Sequence, residues 1–225
     1  MGSTERRERE RSDVRRRILD AARELFVAEG YEAVTMRKVA DRIEYTPPAI
    51  YFHFKDKQEL IEAICDEDFA ALAEALMLLE DVKDPWDRLA KTGKAYVDFA
   101  VKNPNQYRIM FMTKLPAPTP DEEKTKPASA AYQMVLHLAG EAIAAGRMKR
   151  AYHDPDLVAQ LLWAAMHGVA SLAITMCDAH DIHLRDTNVL ADSMIDTLMN
   201  GMAAEAPSSG KEPAKRPAAK TKARG

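Results

Sequence analysis

The segment from Thr35 to Lys57 constrains the fold more than any other part of the chain, because its pattern predicts two short helices joined by a tight turn. Thr35 and Thr46 stand at the N-cap positions of these helices. Pro47 follows at the first helical position, where its missing N–H costs nothing. Asp56, with a glutamate three residues later, predicts a capping box that opens a long third helix. Two short helices, the second with a slender exposed face, suit the major groove of B-DNA.

These residues resemble the tetracycline-repressor (TetR) family of transcription regulators, and the resemblance covers residues 15–64. It rests on sequence blocks in a fixed order: Ile18-Leu-Asp-Ala-Ala-Arg-Glu-Leu-Phe, Glu29-Gly-Tyr, Thr35-x-Arg-x-Val-Ala and Ala49-Ile-Tyr-x-His-Phe-x-x-Lys57. The family usually has a small residue and then glycine in the turn, whereas this chain has Ile43-Glu44. Because a position with positive φ penalises a residue with a Cβ, we expect an altered turn and altered DNA contacts nearby, without loss of the motif.

The resemblance implies two sets of DNA-contacting residues. The residues expected on phosphates are Thr35, Tyr51, His53 and Lys57. Phosphate contacts give affinity and register but no sequence information. Those expected on base edges are Arg37, Thr46, Pro47, Pro48 and Ala49, while Tyr45 in the turn could serve either role. Packing within the domain is the alternative role for Tyr51 and His53. Only Arg37 can form the bidentate contact to guanine O6 and N7, so we expect specificity to depend on one guanine per half-site and on DNA shape.

Composition narrows the class of protein further. The chain carries a net charge of −3, divided between a slightly basic start, an acidic middle and a basic end, which is consistent with DNA meeting one end only. Two distant cysteines, Cys65 and Cys177, favour a reduced cytoplasmic setting. We expect no signal peptide and no membrane-spanning segment, since no apolar run approaches the roughly 18 residues required. Phosphate-binding loops, nucleophile elbows and paired catalytic carboxylates are absent from the sequence, so we expect neither an enzyme nor a cofactor.

The predicted fold is all-α, with a three-helix helix-turn-helix domain followed by a helical regulatory domain. We place a flexible charged arm at residues 1–13, the DNA-binding domain at 14–57, the regulatory and dimerisation domain at 58–202 and a disordered basic tail at 203–225. The arm could instead extend the first helix, or it could enter the minor groove. Four prolines between residues 114 and 127 predict a long surface loop.

Within the regulatory domain, Trp163-Ala-Ala-Met-His167-Gly168 resembles the Trp…His-Gly signature of one TetR regulatory domain. The resemblance implies a small-ligand site and a homodimer formed through residues 155–177 and 186–200. The candidate ligand-contacting residues are aromatic, methionine and histidine side chains: Tyr96, Phe99, Tyr107, Met110, Phe111, Met134, Trp163, Met166 and His167. Each of them could equally be an ordinary core residue.

The sequence therefore favours a homodimeric repressor that leaves a palindromic double-stranded DNA operator when a small hydrophobic effector binds. The alternative is a helical ligand-binding or interaction protein whose operator binding has weakened, as Glu44 in the turn suggests. A metal site between Cys177 and His183 is disfavoured, because no second ligand pair lies nearby in sequence.

Overall fold

The computed structural model describes residues 3–79, 81–114, 127–176 and 182–204. In these ranges the chain forms nine α-helices and one short 3₁₀ helix, Arg150–Tyr152, which confirms the all-α prediction. The α-helices are α1 (Ser3–Glu29), α2 (Met36–Arg42), α3 (Pro47–Tyr51), α4 (Lys57–Met77), α5 (Pro85–Lys102), α6 (Pro104–Met112), α7 (Pro127–Ala144), α8 (Pro155–Thr175) and α9 (Thr187–Met202).

The first three helices and the first half of α4 form an N-terminal bundle. Apolar residues three or four positions apart, such as Ile18 and Ala22 on α1, face its buried centre. Ile50 of α3 is fully buried there, together with Leu60 and Ile64 of α4. The packing unit therefore extends beyond residue 57, because the first two turns of α4 complete this core.

The second half of α4 joins α5, α7, α8 and α9 in a C-terminal bundle with its own core. Leu89 of α5, Leu138 of α7 and Val158 of α8 are buried in it. The end of α9 is held by backbone pairing with the α7–α8 connection, where Met148 and Ala203 form an isolated β-bridge. Helix α9 continues through Gly201 to Met202, directly before this pairing.

Helix α6 belongs to both bundles. Its Ile109 is fully buried in the N-terminal core, and its Tyr107 is fully buried in the C-terminal core. Because the two residues lie on different faces of one short helix, α6 cannot move without disturbing both cores.

Aspartate side chains cap the starts of α4 and α5, whereas two other residues at N-cap positions make no such hydrogen bond. Asp84 accepts hydrogen bonds from the backbone N–H of Trp86 and Asp87 at the start of α5. Thr46 and Asn103 occupy N-cap positions but make no side-chain cap hydrogen bond. The Asn103 side chain instead donates to the Phe99 carbonyl at 2.9 Å, which satisfies the end of α5 rather than the start of α6.

Two other segments differ from the sequence-based expectation. Residues 4–13 are exposed and continue α1, which agrees with the alternative that the arm extends the first helix.

Among the described residues, α8 is long and apolar enough to cross a membrane by length and composition. The expectation that no apolar run approached that length was therefore wrong. Helix α8 packs against α5, α7 and α9, and burial of this kind accounts for its apolar character. The predicted loop at 115–126 and the tail beyond Ala204 lie outside the described residues.

The turn between α2 and α3 contains a strained residue. Glu44 has φ 61°, in the left-handed region where the Cβ of a non-glycine residue is crowded. Gly30 and Gly146, which follow α1 and α7, also have positive φ, but a glycine adopts it without strain. Glu44 thus keeps the positive φ that glycine favours, and it carries the steric penalty expected of a residue with a Cβ.

We expect Glu44→Gly to raise the free energy of unfolding by about 0.5–1 kcal/mol, because relief of strain exceeds the added flexibility of the unfolded chain. Chemical denaturation measures the difference. Glu44→Ala is the matched control, since it removes the carboxylate but keeps the Cβ, and it should give no comparable gain. Equal stabilisation by alanine would assign the effect to charge rather than to backbone strain.

Candidate DNA-binding surface and ligand cavity

Helix α3 and its flanking residues form an exposed surface at one side of the N-terminal bundle. Thr46 and Pro48 are exposed, Pro47 and Ala49 are partly buried, and Tyr51 is 53% exposed. Phe52, which the sequence analysis did not select, is 69% exposed beside them. Ile50 and Phe54 face the core, so the helix exposes the side that was predicted to meet DNA.

Arg37 is the most available arginine on this surface. Its side chain is 83% exposed, and its guanidinium lies 3.9 Å from Asp41 one turn later, a loose contact. Arg42 differs, since it donates a 2.7 Å hydrogen bond to Glu24 of α1. Arg37 can therefore leave its partner to contact a base at little cost, as its predicted role requires.

The residues predicted on phosphates differ in their availability. Thr35 accepts a hydrogen bond from Lys38 N at 3.2 Å, which leaves its hydroxyl hydrogen free to donate. Lys57 is more restricted, because its ammonium donates to the Tyr31 carbonyl at 2.9 Å and lies 4.1 Å from the centre of the Tyr31 ring. Burial lowers the pKa of His53, and Arg11 and Arg15 lower it further, so the neutral imidazole is favoured at pH 7 and would contact a phosphate by a hydrogen bond rather than by an ion pair.

Arginines of α1 cover the aromatic side chains next to α3. Arg11 lies 5.1 Å from the centre of the Phe52 ring, and Arg17 lies 5.2 Å from the Tyr45 ring. Tyr45 is also partly buried against the N-terminal core, which favours a packing role for it. The helical extension of α1 thus brings positive charge beside the predicted DNA surface. A spacing of four residues between Arg7, Arg11 and Arg15 was the sequence signal for this arrangement.

The C-terminal bundle contains a cavity of about 1070 Å³ between α4, α5, α6, α7 and α8, and it is partly open to solvent, since Trp163 in its lining is 45% exposed. Of the predicted ligand-contacting residues, those that line it are Tyr96, Met110, Phe111, Trp163, Met166 and His167. Phe99, Tyr107 and Met134 do not line it. Tyr107 is fully buried behind the wall, because its ring packs 4.8 Å from Phe111 and 5.7 Å from His167.

Further wall residues were missed by the sequence analysis. They are mostly aliphatic and lie on α4, α5, α7 and α8, and they include Leu72, Leu76, Leu89, Val135 and Leu162. Tyr132, Asp156 and Gln160 form a polar group in the same wall: the Tyr132 hydroxyl and the Gln160 amide each donate to Asp156 at 2.6 Å. Nothing in the sequence distinguishes aliphatic cavity residues from other core residues, because both have the same helical spacing.

A chain of hydrogen bonds crosses the cavity wall. Trp163 Nε1 donates to the Tyr96 hydroxyl at 3.2 Å, the Tyr96 and Tyr107 hydroxyls lie 2.9 Å apart, and the Tyr107 hydroxyl lies 2.6 Å from His167 Nδ1. Burial raises the pKa of Tyr96 to about 12 and raises that of Tyr107 further, so both keep their hydrogens. Burial lowers the pKa of His167, which keeps the imidazole neutral at pH 7.

A buried carboxylate joins the two bundles. Asp68 of α4 is completely buried, and it accepts hydrogen bonds from Arg23 of α1 at 2.9 and 3.2 Å and from Gln106 of α6 at 2.8 Å. Burial raises the pKa of Asp68, and the hydrogen bonds from Arg23 and Gln106 oppose that change. The sequence analysis missed this network. The sequence feature that indicates it is the position of Asp68, which stands four residues after Ile64 and four before Leu72 on the apolar side of α4.

Two regions of the chain match models of one protein family. Residues 18–64 match the bacterial regulatory proteins of the tetR family, and residues 89–198 match the tetracyclin repressor-like C-terminal domain. This chain belongs to the TetR family. It is a DNA-binding transcription regulator and not an enzyme.

Curated members of the TetR family with similar sequences include an activator and a repressor. The chain is 34% identical to the HTH-type transcriptional activator FasR of Mycolicibacterium smegmatis over 102 residues. These residues cover 45% of this chain and 47% of FasR. It is 37% identical over 73 residues to the HTH-type transcriptional repressor AcnR of Corynebacterium diphtheriae, covering 31% of this chain and 38% of AcnR. The chain thus spans less than half the length of these relatives.

Solved TetR structures share the fold over most of their length. A tetR-family regulatory protein from Rhodococcus RHA1 superposes with a TM-score of 0.68 at 23% identity, covering 85% of this chain and 98% of that one. The fatty acid degradation regulator FadR from Bacillus halodurans gives a TM-score of 0.67 at 15% identity, covering 83% and 95%. At these identities the similarity concerns the fold alone.

The metal site weighed between Cys177 and His183 lies mostly outside the described residues. Within the described part of the chain, no group of three or more His, Cys, Asp or Glu side chains is placed to hold a metal ion.

For the DNA surface, we expect Arg37→Ala to cost about 1–3 kcal/mol at one base pair per half-site and to relax the preference there. Binding to a set of single-base operator variants measures this. Arg42→Ala is the matched control, because Arg42 is engaged with Glu24, and it should leave the base preference unchanged. A uniform loss across all operator variants on Arg37→Ala would instead assign Arg37 to phosphate contact.

Proposed function

We propose that this protein is a homodimeric repressor that binds a palindromic operator in the cytoplasm and is released from it by a small apolar ligand. The observation that carries the proposal is the large cavity in the C-terminal bundle, whose wall includes α6, a helix that also enters the core of the DNA-binding bundle. A ligand acts on DNA binding only if it favours one of two conformations. Helix α6 offers a physical route for that effect.

In the proposed route from the cavity to DNA, one side of α6 contacts the cavity and another side contacts the N-terminal bundle. Met110 and Phe111 line the cavity, while Gln106 and Ile109 contact the N-terminal bundle. A ligand that displaces Phe111 would move the whole short helix, because a helical turn transmits displacement rigidly. Asp68 would then shift on α4 relative to Arg23 on α1. In a dimer, this changes the separation of the two α3 helices, which the spacing of the grooves holds within narrow limits.

We place the dimer interface on the outer faces of α8 and α9. Leu157 and Leu172 of α8 and Val189 of α9 are large apolar residues with 43%, 43% and 57% exposure. Exposed apolar surface on neighbouring helices favours association with a second copy. Leu190 and Ile195, which lie on the same α9 segment, pack into the protomer core and are therefore unsuited to test the interface.

The ligand is proposed to be predominantly apolar, since the wall is mainly aliphatic and aromatic. The name of FadR of Bacillus halodurans, which shares the fold, is consistent with an acyl-bearing molecule here.

Repression is supported by the similarity to AcnR. FasR is an activator, so a reporter gene under the operator tests this point: expression should rise when the protein is deleted, and a fall would indicate activation.

To test the dimer, we expect Leu172→Glu to yield monomers, because it places a charge in the proposed interface, and to abolish tight binding to the palindrome at the same time. Analytical ultracentrifugation and DNA titration measure the two effects. Val101→Glu on α5 is the matched control: Val101 is 46% exposed and belongs to α5 rather than to the two proposed interface helices, so this variant should remain dimeric. A Leu172→Glu monomer that binds the palindrome tightly would contradict the proposal.

To test the route through α6, we expect Gln106→Leu to reduce the change in DNA affinity that a bound ligand causes, from a typical coupling of about 1–3 kcal/mol toward zero. The substitution removes the hydrogen bond to Asp68. DNA titrations with and without a saturating apolar compound give the coupling, and thermal shift confirms that the compound binds.

Asn105→Ala is the control for Gln106→Leu, because Asn105 is the exposed neighbour on the same helix. It should retain full coupling. If stabilising ligands are found and none changes the DNA affinity of the unmodified protein, ligand-controlled release is wrong.

A further inference from the structure

The hydrogen-bond chain in the cavity wall contains more donors than it can use internally. Trp163, Tyr96, Tyr107 and neutral His167 each carry one polar hydrogen. Four hydrogens are therefore shared among the three hydrogen bonds that connect the groups. One donor remains, whichever way the hydrogens are arranged.

The surplus donor belongs to one of two residues that line the cavity. If Tyr107 donates to His167 Nδ1, the remaining hydrogen is on His167 Nε2. If His167 Nδ1 donates to Tyr107, the remaining hydrogen is on the Tyr96 hydroxyl. A third arrangement would leave the hydrogen of Tyr107 without an acceptor inside the core, where an unsatisfied donor costs about 1–3 kcal/mol. Both Tyr96 and His167 line the cavity, so either permitted arrangement presents a donor to a bound molecule.

The same wall offers nothing to neutralise an anion. Among the described residues that line the cavity there is no lysine or arginine, and the one carboxylate is Asp156. Its two oxygens already accept hydrogen bonds from Tyr132 and Gln160. A charged carboxylate placed against Tyr96 and His167 would exchange its hydration for neutral donors alone, which is unfavourable.

We infer that the cavity takes an uncharged apolar ligand that carries a hydrogen-bond acceptor, such as an ester or ketone carbonyl, placed against Tyr96 and His167. The inference rests on the proposed function only in treating this cavity as the ligand site. It specifies the ligand further, because it excludes both a plain hydrocarbon and a free carboxylate as the preferred occupant.

The test uses the full-length protein without DNA and a series of straight-chain compounds, each length supplied as the alkane, the methyl ester and the free acid. Calorimetry and thermal shift measure binding at pH 8. The best ester should bind about three- to tenfold more tightly than its matched alkane, the range for one neutral hydrogen bond. The matched free acid should bind at least about tenfold more weakly than the ester.

Lowering the pH separates charge from shape. If only the uncharged acid enters, its apparent affinity should rise about tenfold for each pH unit between pH 8 and pH 6, while that of the ester stays constant. An acid that binds as tightly as its ester at pH 8 overturns the inference, as does an ester no better than its alkane. Failure of every ester in the series to bind also overturns it.

A charge variant supplies the second test. Gln160 is exposed at the cavity wall, so Gln160→Lys adds a cation there with little risk to folding. It should strengthen binding of the free acid relative to that of the matched ester at pH 8. Gln133→Lys, on the exposed side of α7 outside the wall, is the matched control and should change neither. Since these measurements omit DNA, ligand binding without any effect on operator affinity would refute ligand-controlled release and leave this inference standing.

Discussion

The carboxylate of Asp68 holds the two bundles of this regulator in a defined relation, because it is completely buried and receives hydrogen bonds from both sides. Arg23 reaches it from the first helix and Gln106 from α6. Loss of one partner from a buried ion pair typically costs about 3–5 kcal/mol, since the remaining charge stays buried without compensation. The contact is therefore strong enough to define one arrangement, and it joins α4 and α6, which both contribute residues to the two cores.

The cavity depends on this arrangement, since α6 supplies part of its wall. Aromatic rings of Tyr96, Phe111 and Trp163 surround it, and Trp163 and Tyr96 are hydrogen-bonded within the wall. A large apolar space normally destabilises a fold, because its lining atoms lose packing contacts. Such a space is consistent with a bundle whose stability increases when a ligand fills it.

Short-range features were predictable from the sequence. Asp84 caps its helix because a carboxylate accepts hydrogen bonds from backbone groups two and three residues away, and nothing distant is required. Thr46 was predicted by the same rule, yet it makes no cap hydrogen bond. Tyr107 shows that residue type alone does not predict which side chains line the cavity. Its residue type suited a ligand contact, but packing by Phe111 and His167 places it behind the wall.

By itself, the sequence determined the helix-turn-helix, the family, the all-α class and the strained turn at Glu44, because these depend on residue types at fixed local spacings. Only the tertiary structure decided which aromatic residues meet the cavity, that Lys57 is engaged with Tyr31, and that Asp68 joins the two bundles. These outcomes depend on contacts between residues far apart in the chain. Helical periodicity shows which face of a helix is buried, but the neighbour that covers it emerges only when the helices pack.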